Sequence, residues 1–303
     1  MVKKIISRKK FLSTTMAGLA GIKLMSRNVG TDSSLLAGSR NVGKTGIIVS
    51  PICFGAPRTN EESLIKYAVD KGLNFIDTGR TYGNGNNERL VGKAVAQVRK
   101  NVVIQSKIRL DPNELPLGGK GNRGAVEIKD ALNSKIEASL KALNSDYIDI
   151  LLYHDATVEN LLFHPEVMKI FAGLKSSGVI RACGFSAHNE YLNLHERNNK
   201  EHFYDVIMVP FNHKGSFIHS VNGRYSEWDQ ERLISVLASA ENNGIGVIAM
   251  KTCSGGKYSP SPDTEASYRE AVRWVLGHSF ISSAAVAMAN FEQVDEHVSW
   301  LAS

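Results

Sequence analysis

Short apolar runs alternate with amphipathic stretches along the chain from Val49 onward. The runs predict eight strands, at 49–54, 73–77, 101–106, 147–153, 179–184, 205–209, 245–250 and 283–287. The stretches predict eight helices, at 60–71, 87–98, 126–143, 165–177, 189–199, 229–243, 265–278 and 291–301. In the stretch at 126–143, Ile128, Leu132 and Ile136 recur at the spacing of one helix face.

The eight strand–helix units predict an α/β fold, a (β/α)8 TIM barrel. The strands are nearly continuous apolar runs, as expected for parallel strands that are covered on both faces. An open, doubly wound sheet is the alternative, and the lack of a G-x-G-x-x-G motif after the first strand counts against it. Because the composition does not change between residues 40 and 303, we interpret this stretch as one domain.

Two long loops, at 110–125 and 210–228, follow the third and sixth predicted strands. Loops at the carboxyl ends of barrel strands are where substrates are contacted. We therefore expect these two loops to select a small-molecule substrate. The sequence pattern does not identify that substrate or the oligomeric state.

The net charge of +6 comes entirely from residues 1–39, because basic and acidic side chains balance in the rest of the chain. The predicted barrel therefore lacks the basic surface of a nucleic-acid-binding protein. No run reaches the roughly 18 apolar residues of a membrane span. An anionic cofactor would have to be held by local groups.

The segment 1–39 resembles an export leader. A basic start is followed by a mildly apolar stretch at 11–22, which is the order of a signal peptide. Residues 7–12 (SRKKFL) resemble a twin-arginine motif, with Lys9 where the second arginine normally stands. We expect export to the periplasm, and the alternative is an N-terminal tail on a cytoplasmic protein.

Three cysteines without a C-x-x-C pair argue against a disulfide framework or an iron–sulfur site. We expect Cys53, Cys183 and Cys253 to be buried thiols on strands. His213 and His219 have no partner at ligand spacing, so no metal site is expected.

Four polar residues follow or end three successive predicted strands. Asp77, Lys107 and His154 stand at strand ends, and Tyr82 lies in the loop after Asp77. Neighbouring parallel strands are about 4.8 Å apart, so these side chains can meet over the barrel mouth. A phenol has a pKa of about 10, and a nearby ammonium lowers it. We expect Tyr82 to donate a proton to a carbonyl oxygen, with Lys107 lowering its pKa, Asp77 anchoring Lys107 and His154 orienting the carbonyl.

The motifs around these residues resemble the aldo-keto reductase signature, and specifically a bacterial branch of that family. The resemblance implies a single TIM barrel that binds an extended NADP or NAD across its mouth, with the four polar residues as the catalytic tetrad. Some bacterial relatives continue into a cysteine-rich ferredoxin-like tail, which we do not expect here. The matching segments are 43–46, 49–51, 54–55, 75–83 (FIDTGRTYG), 87–94 (NERLVGKA), 146–149, 178–181, 184–186, 244–248 and 290–294.

The same resemblance implies a set of cofactor contacts. Ser186 stands at the carboxamide-binding serine, whereas Ala187, Pro210 and Met250 differ from the residues that the family usually has nearby. His188 is expected to contact the cofactor or the substrate, and the alternative is a surface histidine that opens a helix.

The pyrophosphate is expected at the loop 251–256. Small residues there expose backbone N–H groups, and the alternative is a plain Gly-rich turn. Gln293 stands where the family often has a basic residue for the 2′-phosphate, so NAD is as acceptable as NADP. Glu296 stands where the family has an acid near the adenine. The contacts expected in the loop are from Lys251, Thr252, Ser254 and Gly255.

These features predict an NAD(P)-dependent oxidoreductase that reduces a carbonyl to an alcohol, or catalyses the reverse. The differences at the cofactor contacts motivate an alternative, a nucleotide-binding regulatory or sensor barrel with little or no turnover.

Overall fold

The computed structural model describes residues 38–111, 123–156, 159–188, 191–219, 223–299 and 301. Nearly all of the leader-like segment and most of the first long loop lie outside these residues. The strands are β1 (Arg40–Asn41), β2 (Ile48–Val49), β3 (Ile52–Gly55), β4 (Phe75–Asp77), β5 (Val103–Ile108), β6 (Ile148–Tyr153), β7 (Ile180–Ser186), β8 (Val206–Pro210), β9 (Ser216–Ile218), β10 (Tyr225–Glu227), β11 (Gly246–Met250) and β12 (Ile281–Ala287). The helices are α1 (Glu62–Asp70), α2 (Asn86–Ala94), α3 (Arg123–Leu143), α4 (Glu159–Leu162), α5 (Pro165–Ser176), α6 (Tyr191–Glu201), α7 (Gln230–Asn242), α8 (Tyr268–Leu276) and α9 (Phe291–Val298).

Parallel strands close into a barrel in the order β3-β4-β5-β6-β7-β8-β11-β12. The predicted (β/α)8 fold is confirmed, and the alternative of an open sheet is wrong. Each predicted strand and helix has a counterpart, with its ends shifted by a few residues. In the described part of the chain, no helix is both long and apolar enough to cross a membrane.

The helices begin where polar side chains replace missing backbone partners. Asp229 accepts a hydrogen bond from the Arg232 amide at 3.0 Å, and Ser267 accepts one from the Glu270 amide at 3.0 Å. These caps satisfy N–H groups that have no partner inside the helix. They fix the starts of α7 and α8 on the outside of the barrel.

The apolar core has two layers. The inner layer fills the barrel with alternate strand residues, among them Cys53, Phe75, Val103, Leu152 and Ile248. The outer layer packs the other strand faces against the helices. This division explains why the strands are apolar on both faces.

A short hairpin, β1–β2, seals the barrel at the amino ends of the strands. Its residues Val42, Ile47 and Val49 are fully buried in the inner core layer. A Cβ at Gly43, where φ is +53°, would lie 2.3 Å from the Gly244 carbonyl oxygen. The hairpin therefore packs backbone against backbone, and this position requires glycine.

A second hairpin, β9–β10, projects from the loop after β8. Its strands are antiparallel, with Ser216 opposite Glu227. The Trp228 N–H donates to the Gly215 carbonyl oxygen at 3.0 Å, which closes the base of the hairpin. The sequence pattern did not predict either hairpin.

The cysteine prediction is correct for two of the three thiols. Cys53 on β3 and Cys183 on β7 are buried, whereas Cys253 lies in the loop after β11 and is partly exposed. No strand carries Cys253, so the prediction of three strand thiols was wrong at that residue.

Candidate active site

Three of the four predicted polar residues converge at the carboxyl ends of β4, β5 and β6. Asp77 ends β4, Lys107 is one residue from the end of β5, and His154 follows β6; all three are buried. The backbone continues the ladder beyond the strands, because the Arg80 N–H donates to the Lys107 oxygen at 2.9 Å and the His154 N–H to the Ile108 oxygen at 2.7 Å. These bonds fix the loop that carries Tyr82.

Lys107 is a buried ammonium whose charge is balanced by Asp77. Its Nζ donates to Asp77 Oδ1 at 2.5 Å and to the Thr78 carbonyl oxygen at 2.8 Å. Burial alone lowers the pKa of Lys107, but Asp77 and Tyr82 together raise the pKa above its ordinary value. Lys107 is therefore a permanent cation at neutral pH.

The ring of Tyr82 lies beside both Lys107 and His154. Lys107 Nζ is 4.9 Å from the centroid of the phenol ring, and the His154 ring meets Tyr82 edge-on with centroids 5.6 Å apart. A Cβ at Gly79 would be 3.3 Å from the Tyr82 ring, so this glycine makes room for the ring. Tyr82 remains partly exposed at the barrel mouth.

The net pKa of Tyr82 differs from the expectation. Burial raises the pKa of the phenol above its ordinary value, and this effect outweighs the lowering by Lys107. Lys107 does lower the pKa of Tyr82 as expected, but the expectation that the pKa would be lowered overall was wrong. Burial depends on the whole loop, so strand-end spacing alone does not predict it.

His154 is neutral at ordinary pH. Burial, followed by the charge of Lys107, holds the pKa of His154 well below its ordinary value. Its Nδ1 lies 3.1 Å from Thr81 Oγ1. When the Thr81 hydroxyl donates to Nδ1, the ring proton is on Nε2 and is available as a hydrogen-bond donor.

The loop that carries Tyr82 is held by interactions that the sequence pattern did not predict. Arg80 forms an ion pair with buried Glu88 at 2.8 Å. Thr78 Oγ1 donates to Asn87 Oδ1 at 2.7 Å. A Cβ at Gly85 would coincide with the Arg80 guanidinium, so a glycine is required there. The match to the signature at 75–83 and 87–94 was the only signal for these residues.

The predicted cofactor residues after β7 line the same mouth. Ser186 is buried, and its Oγ accepts from the Asp155 N–H at 3.2 Å. The His188 ring lies 5.2 Å from the His219 ring, and its Nδ1 has no partner among the described residues. Burial, then Lys251 and His219, lower the pKa of His188 to about 3.

The loop after β11 presents positive charge. Lys251 has a φ of +58°, and its Nζ lies 5.3 Å from the centroid of the Phe217 ring. Burial, then the charge of Arg58, lowers the pKa of Lys251. Among the described residues, neither Lys251 nor Arg58 has an ion-pair partner. Two unpaired cations beside a loop of small residues suit an anionic group. The sequence pattern did not predict Arg58.

The remaining residues of this loop differ in their placement. Thr252 is buried, and its Oγ1 lies 3.4 Å from the Ala285 carbonyl oxygen. Ser254 is exposed, and its N–H donates to the Lys251 oxygen at 3.0 Å. Gly255 is buried, and a Cβ there would lie 2.9 Å from Asn212 Oδ1. Thr252 thus interacts with β12, and Gly255 permits a close approach to the loop after β8.

Two predicted residues lie in α9, beside this loop. The Gln293 side chain is engaged locally, because its Oε1 accepts from the Ala289 N–H at 2.7 Å. Glu296 is exposed, and its charge contributes to raising the pKa of Cys253, after burial. Gln293 Nε2 can still donate a hydrogen bond to a ligand while Oε1 keeps this backbone partner.

A cavity of about 560 Å³ opens beside His188. It lies between the start of α6, at Tyr191, and the β9–β10 hairpin with Trp228. The loop expected to contact substrate therefore forms one wall of this cavity, and His188 is the expected site residue that lines it. The other long loop lies largely outside the described residues.

Comparison with known proteins finds a matching family and matching folds. The family model described as "Aldo/keto reductase family" matches residues 54–298. The "Uncharacterized oxidoreductase YqkF" of Bacillus subtilis is 26% identical over 256 residues, which cover 82% of this chain and 76% of that protein. The structure of aldo-keto reductase AKR11C1 from Bacillus halodurans superposes with a TM-score of 0.67 at 21% identity, covering 88% of this chain and 91% of the other.

A structure of an aldo/keto reductase from Klebsiella pneumoniae, in complex with NADP and acetate, superposes with a TM-score of 0.63. Its identity is 21%, and the match covers 86% of this chain and 89% of the other. At these identities the two superpositions establish the fold alone.

Proposed function

Because the chain belongs to the aldo/keto reductase family, it is an NAD(P)-dependent oxidoreductase, and we propose that it reduces a carbonyl to an alcohol, or catalyses the reverse, with Tyr82 as the general acid or base. One observation carries the proposal. Tyr82, Lys107, Asp77 and His154 meet at the barrel mouth with a buried ion pair beside a partly exposed phenol.

The residues of the mouth fit a dinucleotide. Lys251 and Arg58, which have no ion-pair partner among the described residues, are the proposed partners of the phosphates. Buried Ser186 is the proposed partner of the carboxamide. The nicotinamide supplies or accepts the hydride when it is bound. The Klebsiella protein was solved with NADP, which supports NADP here. Gln293 is uncharged, so this position does not favour the 2′-phosphate of NADP over NAD.

The proton is delivered by Tyr82. Its raised pKa keeps the phenol protonated at neutral pH, so it can give a proton to an oxygen that develops negative charge. Lys107 stabilises the phenolate that remains, and Asp77 holds Lys107 in place. Neutral His154 can donate a hydrogen bond to the same oxygen without adding charge to the site.

The change Tyr82→Phe tests this mechanism directly. It removes one oxygen and keeps the ring that packs on Gly79 and His154. We expect turnover of aldehyde substrates to fall by about 100- to 10,000-fold, which is the contribution of proton donation to the rate. NADPH binding, followed by fluorescence titration, should be unchanged.

Two results contradict the proposal. Unchanged turnover in Tyr82→Phe would show that Tyr82 is not the general acid. Tight nucleotide binding with no turnover of a broad carbonyl panel by the unaltered protein would instead favour a regulatory or sensor barrel. Tyr268→Phe, which removes an exposed phenol hydroxyl outside the tetrad, is the control for the loss of a hydroxyl.

We further propose that residues 1–39 direct export of the folded enzyme. The support is the basic start and the SRKKFL motif. Replacing Arg8 by Lys should move the protein from the periplasmic to the cytoplasmic fraction of expressing cells, because a guanidinium is read differently from an ammonium. Equal periplasmic amounts for both proteins would refute a twin-arginine route.

A further inference from the structure

The side chain of Gln105 lies inside the barrel, directly beneath the Lys107–Asp77 pair. Gln105 is two residues before Lys107 on β5, so both side chains point to the same face of the strand. Gln105 is fully buried, and its Nε2 donates to Asp77 Oδ1 at 2.7 Å. The same oxygen accepts from Lys107 Nζ at 2.5 Å. One carboxylate oxygen therefore holds two donors from one strand.

The orientation of the Gln105 amide is dictated by Asp77. A carboxylate only accepts, so the amide nitrogen must face it and the amide oxygen must turn away. The oxygen, Oε1, is buried and has no partner among the described residues. The other contact of Nε2 is Met208 Sδ at 3.4 Å. A buried amide oxygen without a partner destabilises a fold, and an apolar side chain would avoid that loss.

The contact with Asp77 is therefore what the amide contributes. We propose that Gln105 is a positioning residue, which holds Asp77 against Lys107 and so sets the electrostatic environment of Tyr82. The inference rests on the proposed function, in which Tyr82 transfers the proton.

The position of Asp77 matters because its effect on Tyr82 opposes that of Lys107. Lys107 lowers the pKa of the phenol, whereas Asp77 raises it. Because two donors hold the Asp77 carboxylate, it stays close to the Lys107 ammonium. If Gln105 no longer held it, Asp77 could rotate, and the balance of the two charges at the phenol would change.

Two substitutions separate this role from simple packing. Gln105→Leu removes the hydrogen-bond donor and puts an apolar side chain of similar size in its place. Gln105→Glu keeps the shape, and burial beside Asp77 raises the pKa of the new carboxyl group. While protonated, the new group donates to Asp77 as the amide does. Once ionised, it places a second negative charge beside Lys107.

The two variants should differ in their dependence on pH. We expect Gln105→Leu to lower kcat by about tenfold at every pH, which corresponds to about 1.4 kcal/mol. Gln105→Glu should have nearly unaltered kcat at the acidic end of the range and lose about tenfold as its carboxyl group ionises. The Kd for NADPH should not change, because the contacts of Gln105 are to Asp77 and Met208 inside the barrel.

Ser283→Ala is the matched control. Ser283 is on β12, is equally buried, and donates to the Ser50 carbonyl oxygen at 2.9 Å, just before β3 begins. It should change the unfolding midpoint and leave the pH profile of kcat as it is. If Ser283→Ala moves the profile as much as Gln105→Glu, or if Gln105→Glu has an unaltered profile, the inference is wrong.

A second readout does not need turnover. The ionisation of Tyr82 can be followed by tyrosinate absorbance, as the difference between each protein and the same protein carrying Tyr82→Phe. A shift in this titration in both Gln105 variants supports the positioning role even if no carbonyl substrate is turned over, in which case only the proposed function fails. Turnover that depends on Tyr82, together with an unshifted titration, retains the function and overturns the inference.

Discussion

At the scale of single residues, the proposed proton donor Tyr82 lies in surroundings that oppose its ionisation. Burial outweighs Lys107, so the pKa of the phenol is above its ordinary value of 10.0. In the proposed mechanism, carbonyl reduction requires the protonated phenol and alcohol oxidation requires the phenolate. The proposal therefore favours reduction near neutral pH.

This asymmetry predicts different pH profiles for the two directions. Reduction should be independent of pH up to about pH 9, because Tyr82 stays protonated, and alcohol oxidation should rise about tenfold per pH unit over the same range. Steady-state kcat in both directions, from pH 6 to about pH 9, measures this. An oxidation rate that does not change with pH would contradict the assignment of Tyr82 as the titrating group.

His195 predicts how stability depends on pH. It is fully buried, stacks on Phe185 with ring centroids 5.2 Å apart, and neither ring nitrogen has a described partner. Burial lowers the pKa of His195 from 6.5 to about 3. Between these values the unfolded chain binds a proton that the folded chain does not, so stability is complete above pH 6.5 and is lost as the pH falls toward 3.

The loss is up to about 1.4 kcal/mol per pH unit from this one residue. His195→Leu should flatten the dependence of the free energy of unfolding on pH in that window, measured by urea unfolding at several pH values. His202→Asn is a control at an exposed position with positive φ, where asparagine is tolerated. Equal slopes for His195→Leu and the unaltered protein would contradict this account.

At the scale of elements, the β1–β2 hairpin provides a pair of matched glycines. Gly43 and Gly46 both have positive φ, but a Cβ at Gly43 would strike the Gly244 backbone, whereas a Cβ at Gly46 meets nothing within 4 Å. Gly46→Ala should cost about 1–2 kcal/mol for the left-handed backbone alone. Gly43→Ala should cost about 2–4 kcal/mol, since overpacking adds to that strain.

Urea unfolding midpoints of the two variants test this difference. The unaltered protein should have the highest midpoint, Gly46→Ala a lower one, and Gly43→Ala the lowest. If the two variants unfold at the same midpoint, the hairpin does not seal the barrel as tightly as its contacts indicate.

Periodicity was sufficient to predict the long elements but not the short ones. The barrel strands are nearly continuous apolar runs, and they stand out from their amphipathic neighbours. β1, β2, β9 and β10 have only two or three residues each, so no period can be read from them. Their pairing depends on contacts with distant residues, such as the contact of Arg40 with the Ile281 carbonyl oxygen at 2.7 Å.

At the scale of the whole molecule, the sequence indicated which residues meet, but it did not indicate the net pKa of Tyr82 that results from their combined effects. Asp77, Lys107 and His154 could be placed together because parallel strands end at one face. The net pKa of Tyr82 could not be predicted, since burial is a property of the assembled mouth. A role for Gln105 was not predicted, because a single polar residue within an apolar run does not stand out from the rest of the predicted strand.

Arg58 was not predicted for the same reason, whereas Lys251 was expected from the family resemblance. Arg58 and Lys251 are far apart in sequence, and they face one loop only when β3, β11 and β12 adjoin. Charge balance over residues 40–303 hides this local excess. Composition therefore could not indicate that these two cations lie close together.

Because the base of the β9–β10 hairpin is closed by a hydrogen bond, the segment between Gly215 and Trp228 can be replaced by another loop. Its backbone leaves and rejoins the barrel at the Gly215–Trp228 hydrogen bond, and the barrel strands on either side, β8 and β11, pair directly with each other. Joining these two points with a different loop costs little chain entropy, because closure entropy grows slowly with loop length. If the proposed function is correct, substrate preference can therefore be changed by grafting at this position without altering the proposed proton-transfer residues at the ends of β4, β5 and β6.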